Sequence, residues 1–363
     1  MWQTTDGGAS NHMAFVHLHN HTDYSMLDGA TRVSDMVKRA VDLKMPAVAI
    51  TDHGYMYGVP DLDLECAKYN HQQADWQQWF HDKENYEKGR EIIEPDAEKD
   101  PVARAQWEID VAAHDAGRDL DEVKPRPLVK PIFGCEAYFT PDDSLSRDHK
   151  PELYHMILLA KNQTGYVNLM QMMSDAAVRG FYYKPRTTLE MLRAHSEGII
   201  ATAACVSGIV PRSILRGQPD EALKWARTFK EIFAPGDFYI EIQDHGMTDR
   251  QLDEQLVELA RSLDLKVIAT NDFHYLTRDD APTQDLMMCI GMNAKVDDEN
   301  RMRMEGSEFY MKTEEEMREL FSWCPEACDN TLELAEKCNV ELDWDQIILP
   351  RFPLLDPGET HES

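Results

Sequence analysis

Short runs of apolar and β-branched residues recur along the chain, and amphipathic stretches separate them. Seven such runs predict strands over Ala14–His19, Ala47–Thr51, Pro131–Phe139, Tyr154–Ala160, Gly198–Ala203, Asp237–Ile242 and Lys266–Thr270. A regular alternation of short buried strands with helical stretches is typical of parallel β/α units. The pattern therefore predicts an α/β protein, built either as a parallel barrel or as a doubly wound sheet.

The intervening stretches carry apolar residues at helical spacing. They predict helices over Val33–Leu43, Gln163–Arg179, Pro219–Phe233 and Thr248–Leu263. Thr31 is the candidate N-cap of the first helix. From about Asp280 the strand pattern stops, and two further helices are predicted over Thr313–Phe321 and Pro325–Asn339.

The segment 71–124 interrupts the alternation of strands and helices. It carries 15 Asp or Glu residues against seven Lys or Arg residues, and it reads as helix more than strand. An acidic run of this kind is usually a solvated excursion. Its tryptophans, Trp76, Trp79 and Trp107, would instead make it a docking element if they were buried against the barrel or a partner.

These changes in pattern divide the chain into four parts. Residues 1–14 are predicted to be a leader, and 15–280 a metal-binding barrel that includes the acidic insertion. Residues 281–340 are predicted to be a helical extension, and 341–363 the start of a further, truncated domain.

Composition restricts the partners of this chain. A formal charge of −29, from 66 acidic and 37 basic residues, repels phosphate backbones unless metal ions or a local basic patch intervene. The chain has no 18-residue apolar run and no signal-peptide pattern, which predicts a cytoplasmic protein without membrane contact. Its seven cysteines lack paired spacing, so reduced thiols are expected.

Residue types that bind transition metals stand in or just after six of the seven apolar runs. They are His17 with His19, then His53, Glu136, His155 and Cys205, and finally Asp272 with His274. Side chains two positions apart on a strand share one face, so His17 and His19 can converge on one ion or on neighbouring ions. The same holds for Asp272 and His274. Because parallel barrels gather their strand ends at one mouth, the sequence predicts a single metal site there.

Each of these residues also has a structural interpretation. A single histidine such as His53 or His155 is more often a hydrogen-bonded structural residue than a ligand, and Cys205 alone is more often a small buried hydrophobe. Asp52 and Asp272 would serve as helix or turn caps. Their coincidence at successive strand ends favours the metal site.

Five motifs resemble the N-terminal polymerase-and-histidinol-phosphatase (PHP) domain of the bacterial replicative DNA polymerase III alpha subunit family. In chain order they read HLHNHTDYSMLDG, PAVAITDHGYMYG, FGCEAYF, GFYYKPR and ATNDFHY, and the resemblance runs from about Phe15 to Phe321, except over the insertion. It implies a distorted seven-stranded (β/α)7 barrel with up to nine ligands for three metal ions. The matching positions are His17, His19, Asp28, His53, Glu136, His155, Cys205, Asp272 and His274.

The resemblance also implies a metal-dependent 3′–5′ exonuclease that proofreads the growing DNA strand, with His17, His19, Asp272 and His274 assigned to catalysis. Imidazoles, carboxylates and one thiolate together favour Zn²⁺, with Mn²⁺ or Fe²⁺ admissible at the more oxygen-rich position. The ions would activate water for attack on phosphorus. The expected partners are the 3′ end of the primer, the remaining polymerase domains and the replisome subunits. By the same resemblance, the polymerase's own catalytic carboxylates are expected in a later domain that this chain does not reach.

Lys184, Arg186 and Tyr183 in GFYYKPR are the candidates for holding a nucleic-acid end, through ion pairing and stacking. The alternative is a folded turn that packs against a neighbouring domain. His21 fits the strand period but is not a family ligand, so it either supports a ligand or is solvent-exposed. The role of His245 is equally open.

Two other functions compete with the exonuclease. One is a PHP phosphatase that acts on a small phosphomonoester, which the polymerase-like GFYYKPR motif disfavours. The other is a metal-stabilised structural module of the polymerase, which remains open because metals also support folding.

Overall fold

The fold was obtained as a computed structural model, and the structure describes residues 14–71, 129–246 and 250–345. The described residues form a seven-stranded sheet. Its strands are β1 (Ala47–Ile50), β2 (Lys130–Thr140), β3 (Tyr154–Ala160), β4 (Arg186–Thr188), β5 (Ile199–Thr202), β6 (Phe238–Gln243) and β7 (Lys266–Thr270). Six of the seven predicted apolar runs supply strands, and the three-residue β4 is too short to produce a recognisable pattern.

The sheet runs in the order β1-β2-β3-β5-β6-β7, and β4 pairs with β2. Strand β3 is antiparallel to both of its neighbours, whereas the other pairs are parallel. The chain between β2 and β3 contains no helix, so it returns directly instead of making the helical crossover that a parallel strand requires. The predicted α/β class is confirmed as a mixed sheet that curves into a half-barrel with helices around it.

The first apolar run does not form a regular strand. Residues 14–21 instead run between the two edges of the sheet. On one side the Ala49 N–H donates to the His17 carbonyl, and on the other the His21 N–H donates to the Phe273 carbonyl at 2.9 Å. This segment therefore links β1 to the end of β7.

The helices of the described residues are α1 (Val33–Asp42), α2 (59–71), α3 (Gln163–Val178), α4 (Leu189–His195), α5 (Ile209–Leu215), α6 (Pro219–Ile232), α7 (Arg250–Ser262), α8 (Ala281–Met292), α9 (Glu314–Leu320) and α10 (Glu326–Lys337). Six of them match the six predicted helices to within one or two residues at each end, and four others, α2, α4, α5 and α8, were not predicted with bounds. None of the helices in the described ranges is both long enough and apolar enough to cross a membrane.

Two threonines near helix starts behave differently in the structure. Thr313 caps α9, and its partner Glu316 completes a capping box, which satisfies two of the otherwise unpaired N–H groups. Thr31 does not cap α1, because Arg32 occupies the N-cap position and makes no side-chain cap bond. The Thr31 hydroxyl is instead buried.

The helical extension shares its core with the sheet. Phe321 at the end of α9 is fully buried in the same apolar cluster as Phe15 and Phe139. Thr331 of α10 accepts a hydrogen bond from the Val16 N–H at 3.1 Å. The predicted leader, nearly all of the acidic insertion and most of the segment 341–363 lie outside the described residues.

Replacing Phe321 by Ala should lower the free energy of unfolding by about 3–5 kcal/mol, because a fully buried ring leaves a cavity. The matched variant Phe181→Ala, at a ring that is 46% exposed, should change it by less than about 0.5 kcal/mol. Urea denaturation measures both. Equal stabilities of the two variants would show that α9 is not part of the barrel core.

Candidate metal centre

Glu136 lies at the centre of the candidate site, on β2, and is almost completely buried. Its Oε1 atom lies 3.2 Å from Nε2 of His19 and 2.8 Å from Nδ1 of His155. Its Oε2 atom contacts Nδ1 of His53. A buried carboxylate whose two oxygens face different imidazoles is suited to bridging two cations.

The chain direction explains why these groups meet. His53 directly follows β1 and pairs with Glu136 in a parallel bridge. His155 stands at the start of β3 rather than at its end. Because β3 is antiparallel, its start lies at the edge of the sheet where the parallel strands end.

His19 and His21 are each oriented by a partner on the far side of the ring. Nδ1 of His19 lies 2.7 Å from Oε1 of Glu241. Nδ1 of His21 lies 2.9 Å from Oγ of Ser25. If each Nδ1–H donates to its oxygen, the Nε2 lone pairs stay available for a metal ion. The two Nε2 atoms lie 3.4 Å apart, and they are 3.1 and 3.2 Å from Oδ1 of Asp272.

Asp272 and His274 follow β7 and face the same cluster. The Nδ1 atom of His274 lies 2.7 Å from the carbonyl oxygen of Asp272, which orients the ring. The His274 ring lies 4.3 Å from the His21 ring, centroid to centroid. Both residues thus lie beside the His19–His21 pair, just after the end of β7.

Asp28 and His53 form the more open side of the cluster. Nε2 of His53 lies 2.9 Å from Oδ2 of Asp28, and the His53 ring stacks on His21 at 4.0 Å. The imidazole of His53 therefore lies between the carboxylates of Asp28 and Glu136.

Cys205 completes the cluster beside His155. Its Sγ atom lies 3.6 Å from Nδ1 of His155 and 4.0 Å from Oε1 of Glu136. Burial and the neighbouring Glu136 raise the pKa of the Cys205 thiol well above its usual value. The thiol is thus protonated until a cation replaces the proton.

Backbone strain coincides with these ligand positions. Asp272 has a φ of 45°, Ala204 before Cys205 has a φ of 58°, and Leu27 before Asp28 has a φ of 62°. Non-glycine residues adopt this left-handed region at an energetic cost, and such residues concentrate at functional sites.

The arrangement fits a divalent metal centre. Three sets of ligand atoms converge within 4.8 Å: His21, His53 and His274; His19, His21 and Glu136; and Glu136, His155 and Cys205. Oε2 of Glu136, Oδ1 of Asp272 and Nδ1 of His53 are buried and make no well-aligned hydrogen bond, although each faces an ionisable neighbour in the cluster. Buried polar atoms that are poorly satisfied are costly, and a bound cation would satisfy the two carboxylate oxygens and the imidazole nitrogen.

The structure does not bring His17 into this cluster. Its Nε2 atom lies 2.9 Å from the Lys312 carbonyl oxygen, and its ring packs edge-on against Phe15 and Phe273. Burial lowers the pKa of His17 to about 4, so the ring is neutral. The expectation that His17 faces the candidate ions is therefore not met, because the structure brings His21 to the cluster instead.

The position of the chain at the barrel mouth accounts for this difference. His17 is level with Ala49, in the middle of β1. His21 is level with Phe273, just after β7 ends. A period of two places all three histidines on one face, but only the last two reach the mouth.

The three residues predicted to hold a nucleic-acid end, Lys184, Arg186 and Tyr183, lie in different surroundings. Arg186 is fully buried, and its guanidinium donates to the carbonyl oxygens of Gly180, Leu145 and Ser146. Arg186 therefore holds the folded turn and is unavailable to a substrate. Lys184 is exposed and lines the cavity described next.

A cavity of about 640 Å³ opens beside Glu136. Its wall includes the candidate ligands Asp28, His53, Glu136, His155, Cys205, Asp272 and His274. Tyr183, in contrast, is 63% exposed and is not part of this wall. His245 does line the cavity, but the Asn271 carbonyl engages its Nε2 atom at 2.9 Å, so it is not positioned as a ligand.

Comparison with known proteins identifies the family. The PHP domain family matches residues 17–245. The chain belongs to the PHP domain family. Similar proteins are DNA polymerase III alpha subunits from Borreliella burgdorferi, at 36% identity over 345 residues, from Treponema pallidum, at 33% over 346, and from Helicobacter pylori, at 36% over 341.

These alignments cover 94%, 94% and 91% of this chain, but only 25%, 25% and 23% of the relatives. The PHP chain thus spans about a quarter of their length. A crystal structure of a candidate metal-dependent phosphoesterase from Bifidobacterium adolescentis is 14% identical, with a TM-score of 0.38, and the match covers 72% of this chain and 88% of that one. This likeness is too distant to bear on function.

Glu241 is a further residue of the candidate centre that sequence reasoning missed, besides the place of His21 in it. Besides His19, its carboxylate accepts hydrogen bonds from the hydroxyls of Thr202 and Thr270, both at 2.5 Å, and from the Gln243 amide. A carboxylate behind a ligating imidazole fixes the ring and strengthens the ligand. The sequence signal for it was a charged glutamate in the middle of the apolar run that forms strand β6.

Metal content should distinguish His21 from His17. His21→Asn keeps a donor near Nδ1 for Ser25 but removes Nε2, so metal affinity should fall by tenfold or more, roughly. His17→Gln keeps a donor for the Lys312 carbonyl and should retain wild-type metal binding. Elemental analysis after dialysis against graded free metal measures both. Loss of metal from His17→Gln alone would contradict the assignment.

Metal binding should release protons at pH 7.5. Burial disfavours a charged imidazole, but the carboxylates of Glu136 and Asp28 raise the pKa of His53 to about 10, so the metal-free ring is protonated. A metal ion must displace that proton, and affinity should therefore rise as the pH increases from 7 towards 10. Titration calorimetry in buffers of different ionisation enthalpy measures the release. Affinity that is independent of pH would refute this protonation state.

Proposed function

We propose that this PHP domain is a metal-dependent 3′–5′ exonuclease that hydrolyses the terminal phosphodiester bond of a DNA strand within a DNA polymerase III alpha subunit. The convergence of imidazoles, carboxylates and a thiol on Glu136, at the wall of one open cavity, carries the proposal. The relatives, which are polymerase subunits, support DNA as the substrate class.

The metal ligands in this proposal are the clustered residues rather than the full predicted set. They are His19, His21, Asp28, His53, Glu136, His155, Cys205, Asp272 and His274. Bound divalent ions would neutralise the phosphate charge and lower the pKa of a nucleophilic water. The thiol and imidazoles favour Zn²⁺, and the carboxylate-rich side beside Asp28 would accept Mn²⁺ or Fe²⁺.

The residues around the cluster prepare it for an anionic substrate. Glu136, with both oxygens committed to imidazoles, keeps the cluster together at a fixed separation. Lys184 lies at the cavity wall with its ammonium 5.0 Å from the centre of the Tyr138 ring. There it provides positive charge for the phosphate in a chain whose net charge is −29. Exposed Tyr183 is available to stack on a base further along the strand.

Release of mononucleotides from a labelled primer tests the proposal. Asp272→Asn and His274→Asn should each lower the rate by about 100-fold or more, because both remove ligand atoms. Asn also tolerates the left-handed backbone that Asp272 adopts. The matched controls Asp279→Asn and His149→Asn, at exposed positions, should keep the wild-type rate.

The alternative functions predict different results in the same assay. Mononucleotide release that survives both ligand substitutions would place the nuclease elsewhere. Hydrolysis of a small phosphomonoester, without release from the primer, would indicate a phosphatase. Absence of hydrolysis of either substrate, together with unfolding in the presence of a chelator, would indicate a structural metal centre.

A further inference from the structure

Several residues of the cavity wall are not candidate metal ligands. Most of them are apolar, and we term these the apolar wall: Val206, Pro211, Leu252, Leu256, Met302 and Met304. Asp253 and Glu305 also line the cavity. A wall of this composition repels a second phosphate and favours an uncharged, apolar group.

Two aromatic rings that also line the cavity, those of His245 and Phe309, stack on each other and form a rigid pair, the platform. The rings of His245 and Phe309 stack with centroids 3.9 Å apart and an interplanar angle of 19°. The Nε2–H of His245 donates to the Asn271 carbonyl at 2.9 Å, which fixes the ring. Burial lowers the pKa of His245, so the ring is uncharged at neutral pH.

The platform is tied directly to the metal ligands. Asn271, which holds His245, is the residue before Asp272. The carbonyl of Phe309 accepts a hydrogen bond from the His274 N–H at 2.8 Å. Both rings are therefore held at a fixed distance from the candidate ligands that follow β7.

The segment that carries the two methionines is also anchored. Arg301 forms a two-pronged ion pair with Asp285 of α8, with N–O distances of 2.5 and 2.6 Å. The Gln284 amide contacts Sδ of Met304 at 3.5 Å. Methionine adapts to ligands of different shape and makes favourable contacts with aromatic rings. Met302 and Met304 can thus adapt to flat groups of different sizes.

We propose that the apolar wall of the cavity binds the nucleobase of the 3′-terminal nucleotide, with the His245–Phe309 pair as its stacking surface. The proposal rests on the proposed function, since it names the group attached to the phosphate in the metal centre. A cavity of about 640 Å³ is within the range of about 300–1,000 Å³ that is typical of small-molecule sites. Aromatic rings stack on any of the four bases, as is required of an exonuclease that degrades DNA of any sequence.

Binding without turnover tests this site separately from the exonuclease activity. Calorimetry with zinc-loaded protein compares dAMP with 2-deoxyribose 5-phosphate, which lacks the base. Wild-type protein should bind dAMP roughly tenfold more tightly. His245→Ala and Phe309→Leu should lose this preference, whereas His245→Phe should keep it. Affinity for the base-free phosphate should stay unchanged in all three variants, as in the control His149→Ala.

Equal affinity of wild-type protein for the two ligands, or no binding of either, would overturn the base site. A base preference that His245→Ala and Phe309→Leu both retain would also overturn it, because the stacking surface would then lie elsewhere. A base preference that depends on these rings, in protein that releases no mononucleotide from a primer, would support the base site and refute only the proposed exonuclease.

Discussion

The buried carboxylate of Glu136 must be balanced by positive charge, and the mouth of the barrel is arranged around that requirement. An ionised carboxylate in the interior is costly unless it is paired and hydrogen-bonded. Burial opposes ionisation, but the imidazoles of His155 and His53 hold the pKa of Glu136 well below its usual value. In the metal-free centre His19, His53 and the Cys205 thiol carry protons, because the pKa of each is raised, whereas burial lowers the pKa of His21 to about 3 and keeps that ring neutral. Divalent ions would replace those protons, and metal loading and protonation are therefore two states of one charge balance.

The backbone explains how so many polar groups reach one point. Parallel strands β1, β5 and β7 deliver residues from their ends, while antiparallel β3 delivers His155 from its start. The segment 14–21 links both edges of the sheet and places His19 and His21 opposite Asp272. Helices α9 and α10 pack into the same core.

The sequence predicted much of this fold, because strand and helix periods are local properties. The six helices with predicted bounds, six of the seven strands and the α/β class follow from them. The antiparallel course of β3 is decided by a connection without a helix, which leaves no periodic signal. The choice between His17 and His21 depends on where the segment 14–21 ends relative to β1 and β7, and spacing alone does not contain that register. Burial of Arg186 under carbonyl oxygens is likewise a tertiary property.

Glu136 is the proposed bridging residue of the metal centre, and diffraction can measure directly which atoms the ions contact. Anomalous scattering from crystals grown with Zn²⁺ would locate the ions without reference to activity. The account predicts ions bound to both oxygens of Glu136, with Nε2 of His19 and His21 as ligands and His17 still on the Lys312 carbonyl. Ions bound at His17, or a Glu136 that contacts no ion at full occupancy, would contradict it.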